Sequence, residues 1–225
     1  MTHVSPVAPP APAGTWVYLP QADTHLLAEV LEESLPTHGA QVLDMCTGTG
    51  VLALLAARHG ARVTAVDVSP EAVATARLNA STAKLPVHVV RGDLFAPVAN
   101  RRFDLILSNP PYVPAPESRP PTAGRSVAWD AGLDGRALLD RICADAPPLL
   151  RPAGTLLLVH SALSRPTRTL AQLRSHGLTA RVQRRRRIPF GPVLRARAEW
   201  LRSRGLVAPE ESMEELVVIR AERTR

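Results

Sequence analysis
The sequence predicts an α/β fold, a mostly parallel sheet of seven strands with helices on both faces, in one unit over residues 15–225. Three observations carry this. Short apolar runs alternate with helical patterns along the chain. The first run enters a glycine-rich turn that opens a helix. Consecutive runs end on an acidic or amide side chain, at the strand ends where open parallel sheets keep their ligands.

Composition sets the bounds. At 225 residues the chain is long enough for one well-buried core and short for two, and 45% apolar residues fit a soluble globular protein. No apolar run approaches the roughly 20 residues of a membrane span. Residues 1–14 are rich in Pro and Ala, with no basic stretch ahead of an apolar one, and read as a disordered tail rather than a signal peptide. Cys46 and Cys143 lie far apart without metal-ligand spacing, which argues against a disulfide framework and suits the cytoplasm. The net charge of +7 permits weak association with nucleic acid or the ribosome. Lys84 is the only lysine, however, and such an arginine bias reflects genome composition as readily as function.

Thr15 to Thr24 leads into a helical pattern from His25 to about Leu35, with Leu26, Leu27, Val30 and Leu31 on one face and Asp23 or Thr24 as its cap. Trp16 and Tyr18 read as aromatic pins at the entry to the domain. Gln41–Met45 is the first core strand. It runs into Asp44-Met45-Cys46-Thr47-Gly48-Thr49-Gly50 and a helix from Val51 to His59 stopped by Gly60. Two cofactor chemistries compete at this turn. As a dinucleotide fingerprint, Gly48-x-Gly50-x-x-Ala53 is followed by Asp67 about 20 residues on. With Asp44 counted in the motif, an acid at the strand tip faces the ligand, repels a pyrophosphate and suits the ammonium of a methionine-type cofactor, which favours S-adenosyl-L-methionine.

Arg62–Val66 is the second strand. Asp67 at its end offers two oxygens to the two hydroxyls of a ribose in either chemistry. Ser69, Pro70 and Glu71 cap and start a helix to about Asn79. Pro86–Val90 is the third strand, and Asp93 after it suits an adenine amino group, with Leu94 against the ring; Asp93 after Gly92 reads equally well as a turn residue. Phe103–Leu107 is the fourth strand. Ser108-Asn109-Pro110-Pro111-Tyr112 ends it, because neither proline donates a ladder hydrogen bond and each fixes its own backbone angle. The result is a stiff elbow holding an amide, rigid carbonyls and an aromatic ring. Asp44, Asp67, Asp93 and Asn109 thus occupy four successive strand tips beside a glycine-rich turn, a constellation that folding alone does not require.

Asp44-x-Cys46-x-Gly48-x-Gly50, Asp67, Asp93 and Asn109-Pro110-Pro111-Tyr112 resemble the class I S-adenosylmethionine-dependent methyltransferases. The likeness is to the HemK or PrmC-like branch, which methylates the side-chain amide nitrogen of glutamine in peptide-chain release factors. Tyr18-x-Pro20-x-x-Asp23-Thr24-x-Leu26-Leu27 is similar to the opening of the short eukaryotic and archaeal-type members, which lack a helical N-terminal substrate domain. Trp129 to Arg136 is similar to the loop that follows the elbow in the same group. The resemblance implies a Rossmann-like sheet with an antiparallel last strand and S-adenosyl-L-methionine as cofactor. Its contacts fall at Thr24, Asp44, Cys46, Thr47, Gly48, Gly50, Asp67, Asp93, Leu94 and Asn109. It also implies a protein substrate such as a release factor and a small partner subunit. Cys46 departs from the glycine usual at its position.

Pro110 to Gly135 is a long, Pro-rich connection that reads as a substrate lip ordering on binding. Asp134 caps a helix to about Asp145, Ala153–His160 is the fifth strand, and Ser164–His176 is a helix. Leu178–Ile188 is a strand whose Arg184–Arg187 run is either a solvated edge or a basic patch. Residues 189–213 form a basic helical insertion around Trp200, and Glu215–Arg220 is the last strand. His160 at a strand tip is set aside as structural.

In the implied reaction the Asn109 side-chain oxygen and the Pro110 carbonyl accept the two hydrogens of a glutamine amide. Pro111 stiffens them, and Tyr112 packs against the amide plane. Three rivals stand beside it. An adenine-N6 nucleic-acid methyltransferase is disfavoured by the few aromatics and the lack of a spare recognition domain. An NAD-dependent oxidoreductase rests only on Gly48, Gly50 and Asp67. A noncatalytic RNA binder would use the region Arg184 to Arg204.

Overall fold
In the computed structural model, which describes residues 17–35 and 37–224, the apolar runs become seven strands of one sheet. They are β1 Gln41–Met45, β2 Arg62–Asp67, β3 Val87–Arg91, β4 Phe103–Ser108, β5 Leu150–Ser161, β6 Leu178–Pro189 and β7 Met213–Arg223. Their order is β3-β2-β1-β4-β5-β7-β6, and only β7 runs antiparallel to its neighbours. Helices α1 Ala22–Glu33, α2 Val51–Arg58, α3 Pro70–Thr82, α4 Ala137–Asp145 and α5 Pro166–Ser175 cover the sheet on both faces. Two short helices, α6 Pro192–Ala196 and α7 Ala198–Ser203, fall between β6 and β7. The expected tail over residues 1–14, and Trp16, lie outside the described residues.

Strand order reverses between β1 and β4, so the connections leaving their tips diverge and open a crevice, as at the switch point of a doubly wound sheet. Register places the two tips level. Met45 pairs with Ser108 on one side and with Val66 on the other, so the glycine-rich turn, Asp67 and Asn109 leave the sheet side by side. Under them, Leu43, Ile106, Leu107, Leu156, Leu157 and Val218 are wholly buried, which is why these strands read as continuous apolar runs rather than alternating ones.

Several expectations are corrected. Helix α1 begins at Ala22 rather than His25. Gln21 is its N-cap without a side-chain bond, and Asp23 and Thr24 lie in its first turn, where Asp23 has other partners. Helix α4 begins at Ala137 with Arg136 at the cap; Asp134 Oδ1 accepts from the Arg136 amide at 3.1 Å instead of capping the helix. Strand β5 starts at Leu150, three residues early. It accommodates Ala153 at φ 61° and a register slip between Phe103 and Leu105, and a Cβ at the neighbouring Gly154 would lie 3.0 Å from the Phe103 carbonyl.

The four-arginine run is a charged edge whose members are all paired. Side chains alternate across β6, so Arg184 and Arg186 reach Glu33 and Glu29 of α1, each at 2.6 Å, while Arg185 and Arg187 reach Glu215 at 2.5 Å and Glu211 at 3.2 Å. Exposed pairs of this kind stabilise little individually. They do neutralise the charge that a polyanion would have used. Among the described residues no helix is long and apolar enough to cross a membrane, and no group of three His, Cys, Asp or Glu is placed to hold a metal ion.

Candidate functional site
The glycine-rich turn is built on left-handed backbone. Cys46, Gly48 and Gly50 have φ of 60°, 55° and 82°. Gly50 is required by packing as well, since a Cβ there would meet the Ala76 Cβ of α3 at 3.1 Å. Asp44 lies beneath the turn and staples it. Its Oδ2 accepts from Thr47 Oγ1 at 2.5 Å and from the Ala53 amide at 3.0 Å, and its Oδ1 is buried without a partner among the described residues. Burial pushes its pKa up to about 7 against the lowering effect of those two bonds. Asp44 therefore does not face the ligand space as expected, because the strand's last inward position is consumed in holding the turn. From the other side, Asn79 Nδ2 donates to the Thr49 carbonyl at 2.9 Å.

Asp67 joins the two halves of the nucleotide-binding corner. Its Oδ2 accepts from the Gly48 amide and its Oδ1 from the Ser69 amide, both at 2.9 Å, while desolvation raises its pKa against these bonds. Each oxygen keeps a lone pair free. Asp93 is exposed and forked by Arg141 through contacts of 3.1 and 2.7 Å. Leu94, at φ 44°, turns a buried apolar side chain beside it.

These groups surround a cavity of about 710 Å3. Of the residues expected at the site, Thr24, Cys46, Thr47, Gly48, Asp67, Asp93, Leu94, Asn109 and Pro111 line it. Asp44, Gly50, Pro110 and Tyr112 are not in its lining; Asp44, Gly50, Pro110 and Tyr112 are buried behind it. Tyr112 is the clearest departure, since it was expected against an amide plane. Its hydroxyl instead donates inward to Asp23 Oδ2 at 2.9 Å, and burial drives its pKa well up.

Asp23 is the residue that sequence reading undervalued. It gathers the Tyr112 hydroxyl, the Tyr18 hydroxyl at 3.1 Å, and both the amide and hydroxyl of Thr24 at 2.6 and 3.2 Å. Asn109 Nδ2 in turn donates to Thr24 Oγ1 at 3.1 Å. A hydroxyl has one proton, and Thr24 gives its own to Asp23; toward Asn109 it acts as acceptor, which fixes the amide with Nδ2 on Thr24 and leaves Oδ1 available to the cavity. The signal was present as Tyr18-x-Pro20-x-x-Asp23-Thr24, read there as an opening motif and a cap. Glu214 of β7 stands nearby, buried with Oε2 unpartnered and its pKa pushed up to about 7 by burial, with Asp23 adding to the rise. His160 is wholly buried with Nδ1 2.8 Å from the Ser161 carbonyl, and burial lowers its pKa to about 4.

The 110–135 connection, expected to order on binding, is already tied down at both ends. Val113 and Asp130 form a short parallel bridge, in which the Val113 amide donates to the Trp129 carbonyl at 2.8 Å and the Ala131 amide to the Val113 carbonyl at 3.0 Å. Ser164 Oγ donates to the Tyr112 carbonyl at 2.8 Å. Pro120, Pro121, Val127 and Ala128 of the same connection form a wall of the cavity. Behind it Arg136, almost wholly buried, binds Asp140, Thr169, Gln172 and the carbonyls of Ser164 and Arg165.

Residues 21–128 match the methyltransferase small domain family. The chain is 33% identical over 175 residues to a protein of Methanocaldococcus jannaschii provisionally named a protein N5-glutamine methyltransferase, covering 77% of this chain and 87% of that one. It is 39% identical to the release factor glutamine methyltransferase of Deinococcus radiodurans, over 83% of this chain and 66% of that one. Among solved structures it is similar to the E. cuniculi Mtq2–Trm112 complex, responsible for methylation of the eRF1 translation termination factor. That likeness has a TM-score of 0.65 and 26% identity, over 92% of this chain and 98% of that one.

Proposed function
This chain belongs to the HemK-like glutamine methyltransferase family of class I methyltransferases, and from that footing we propose that it methylates the side-chain amide nitrogen of a protein glutamine, using S-adenosyl-L-methionine. A peptide-chain release factor is the substrate its relatives favour, and the Mtq2 complex favours a small partner subunit. A cytoplasmic setting follows from such a substrate.

The residues fit that cofactor. Asp67 retains one lone pair per oxygen for a pair of hydroxyls, Leu94 and Val68 supply apolar wall, and the cavity is large enough to seat it. When bound, S-adenosyl-L-methionine supplies an electrophilic methyl group on a sulfonium. The chain's own part is to grip the acceptor. A glutamine amide nitrogen is a poor nucleophile because its lone pair is delocalised into the carbonyl. Asn109 Oδ1 accepts one amide hydrogen, and the other is assigned to the carbonyl of the adjoining Pro110, a buried residue outside the cavity lining. The two prolines hold that carbonyl rigid. Two fixed acceptors favour the positive charge that develops on the nitrogen and hold it for in-line attack. Thr24 and Asp23 hold the Asn109 amide in the accepting orientation.

The observation that carries this reading is the oriented Asn109 amide at the level of the glycine-rich turn. Its test is incubation of the pure protein, with and without a partner subunit, with labelled S-adenosyl-L-methionine and a peptide carrying a Gly-Gly-Gln loop, followed by mass spectrometry. A methyl group on the glutamine amide is expected. Label confined to ribonuclease-sensitive material from a lysate, or binding of NAD in place of S-adenosyl-L-methionine, contradicts it.

A further inference from the structure
The insertion between β6 and β7 is bolted onto the elbow, and we propose that Arg197 is a positioning residue for the acceptor site, holding the segment after Tyr112 in register. The inference rests on the reading of Asn109–Tyr112 as the acceptor grip. Arg197 Nη1 donates to the Pro114 carbonyl at 3.1 Å and lies 2.5 Å from Asp130 Oδ1. Those acceptors sit on the two arms of the Val113–Asp130 bridge, so one cation spans the connection that leaves the elbow and the connection that returns. Both partners are well shielded, with the Arg197 and Asp130 side chains 19% and 8% exposed, which sets this pair apart from the solvated ion pairs of β6.

A second, apolar contact points the same way. Phe190, Leu194 and Leu201 of the insertion form a small core of their own, completed by Val113, the residue directly after Tyr112, and by Leu163. The carbonyls following the grip are thereby all engaged. Ser164 takes that of Tyr112, Ala131 that of Val113 and Arg197 that of Pro114. Since the proline elbow is stiff, a shift at Val113 and Pro114 is carried back into the Pro110 carbonyl and Asn109 rather than absorbed between them. Displacements of about 1 Å at such a grip are enough to lower turnover by roughly a hundredfold.

The test compares Arg197→Ala and Arg197→Lys in the full chain. One nitrogen donates to the Pro114 carbonyl and pairs by charge with Asp130, a point contact that a lysine ammonium reproduces. For Arg197→Ala, kcat falls roughly tenfold or more, amide exchange at Val113 and Ala131 accelerates, the melting temperature drops because the shielded Asp130 loses its cation, and the affinity for S-adenosyl-L-methionine stays near wild type. Arg197→Lys recovers most of kcat. Unchanged exchange at both amides, or wild-type kcat in the alanine variant, overturns the proposal. So does a fall in kcat matched by equal losses of stability and cofactor binding that lysine does not rescue. If wild-type protein transfers no methyl group to glutamine, the reading of the site fails. The exchange of Val113 and Ala131 still decides the clamp.

Discussion
Thr24 Oγ1 lies 3.1 Å from Asn109 Nδ2 and 3.2 Å from Asp23 Oδ1, so a single hydroxyl passes the polarity of a buried carboxylate on to the amide at the end of β4. The consequence is directional. Thr24 must accept from Asn109, and the oxygen of that cavity-lining amide is left to accept from a ligand.

Replacing Thr24 by Val removes that acceptor while keeping the side-chain shape. The amide is then free to flip and present its donor side. We expect turnover to fall about tenfold, with Thr24→Ser close to wild type, and a stability loss of about 1–3 kcal/mol for the two hydrogen bonds that the Thr24 hydroxyl makes. Steady-state kinetics alongside thermal melts separates the two effects. Normal turnover in the valine variant contradicts the orientation argument.

Stability should fall as pH rises toward neutrality. Glu214 and Asp44 have ordinary pKa values of 4.5 and 3.8, and both are pushed up to about 7 in the fold. The folded state therefore binds more protons than the unfolded chain across that window. Their contribution is complete in acid and is lost by about pH 7. His160 acts in the opposite sense, lowered from 6.5 to about 4, so it adds stability as pH rises over that range. Two acids outweigh one imidazole. Glu214→Gln removes one ionisable group, and its stability relative to wild type should rise by up to about 3 kcal/mol between pH 4.5 and 8. Urea titrations at several pH values check this; a difference that does not change with pH contradicts it.

Cys46 occupies the left-handed region at φ 60°, where a Cβ costs about 1–2 kcal/mol, and it lines the cavity. Cys46→Gly relieves that cost, offset by roughly 0.5–1 kcal/mol of added unfolded-state freedom. The expected result is unchanged or slightly raised stability with cofactor affinity retained, measured by calorimetry. A marked loss of affinity would assign the thiol a direct role.

Arg136→Met should cost about 3–5 kcal/mol, because it strips a donor from the carbonyls of Ser164 and Arg165 and from Gln172 at once. Ser164 also holds the Tyr112 carbonyl. Activity should therefore decline before global unfolding in a denaturant series.

The strands and the strand-tip residues were legible because burial on both faces writes continuous apolar runs, and because glycine and proline are confined to turns that need them. Asn109 and Asp67 stand where that logic put them. Residues whose work depends on tertiary partners were less legible. Asp23 and Thr24 read as helix caps because a cap and a buried carboxylate with four donors share the same local sequence. Tyr112 was expected to face the ligand, since nothing in Asn-Pro-Pro-Tyr announces the Asp23 carboxylate that turns it inward. The arginine run offered no sign of which faces would meet Glu29, Glu33, Glu211 and Glu215, four acids far from it in sequence or in a neighbouring strand. Arg197 carried no local signal, because its two acceptors lie on a connection some seventy to eighty residues upstream.

The central claim is that the Asn109 amide grips the methyl acceptor without being required to hold the cofactor. Its most direct test is Asn109→Ala, with methyl transfer to a glutamine-containing peptide read by mass spectrometry and S-adenosyl-L-methionine binding read by calorimetry on the same preparation. Transfer is expected to be abolished while cofactor binding survives at least in part. Near-normal transfer by the alanine variant would contradict it.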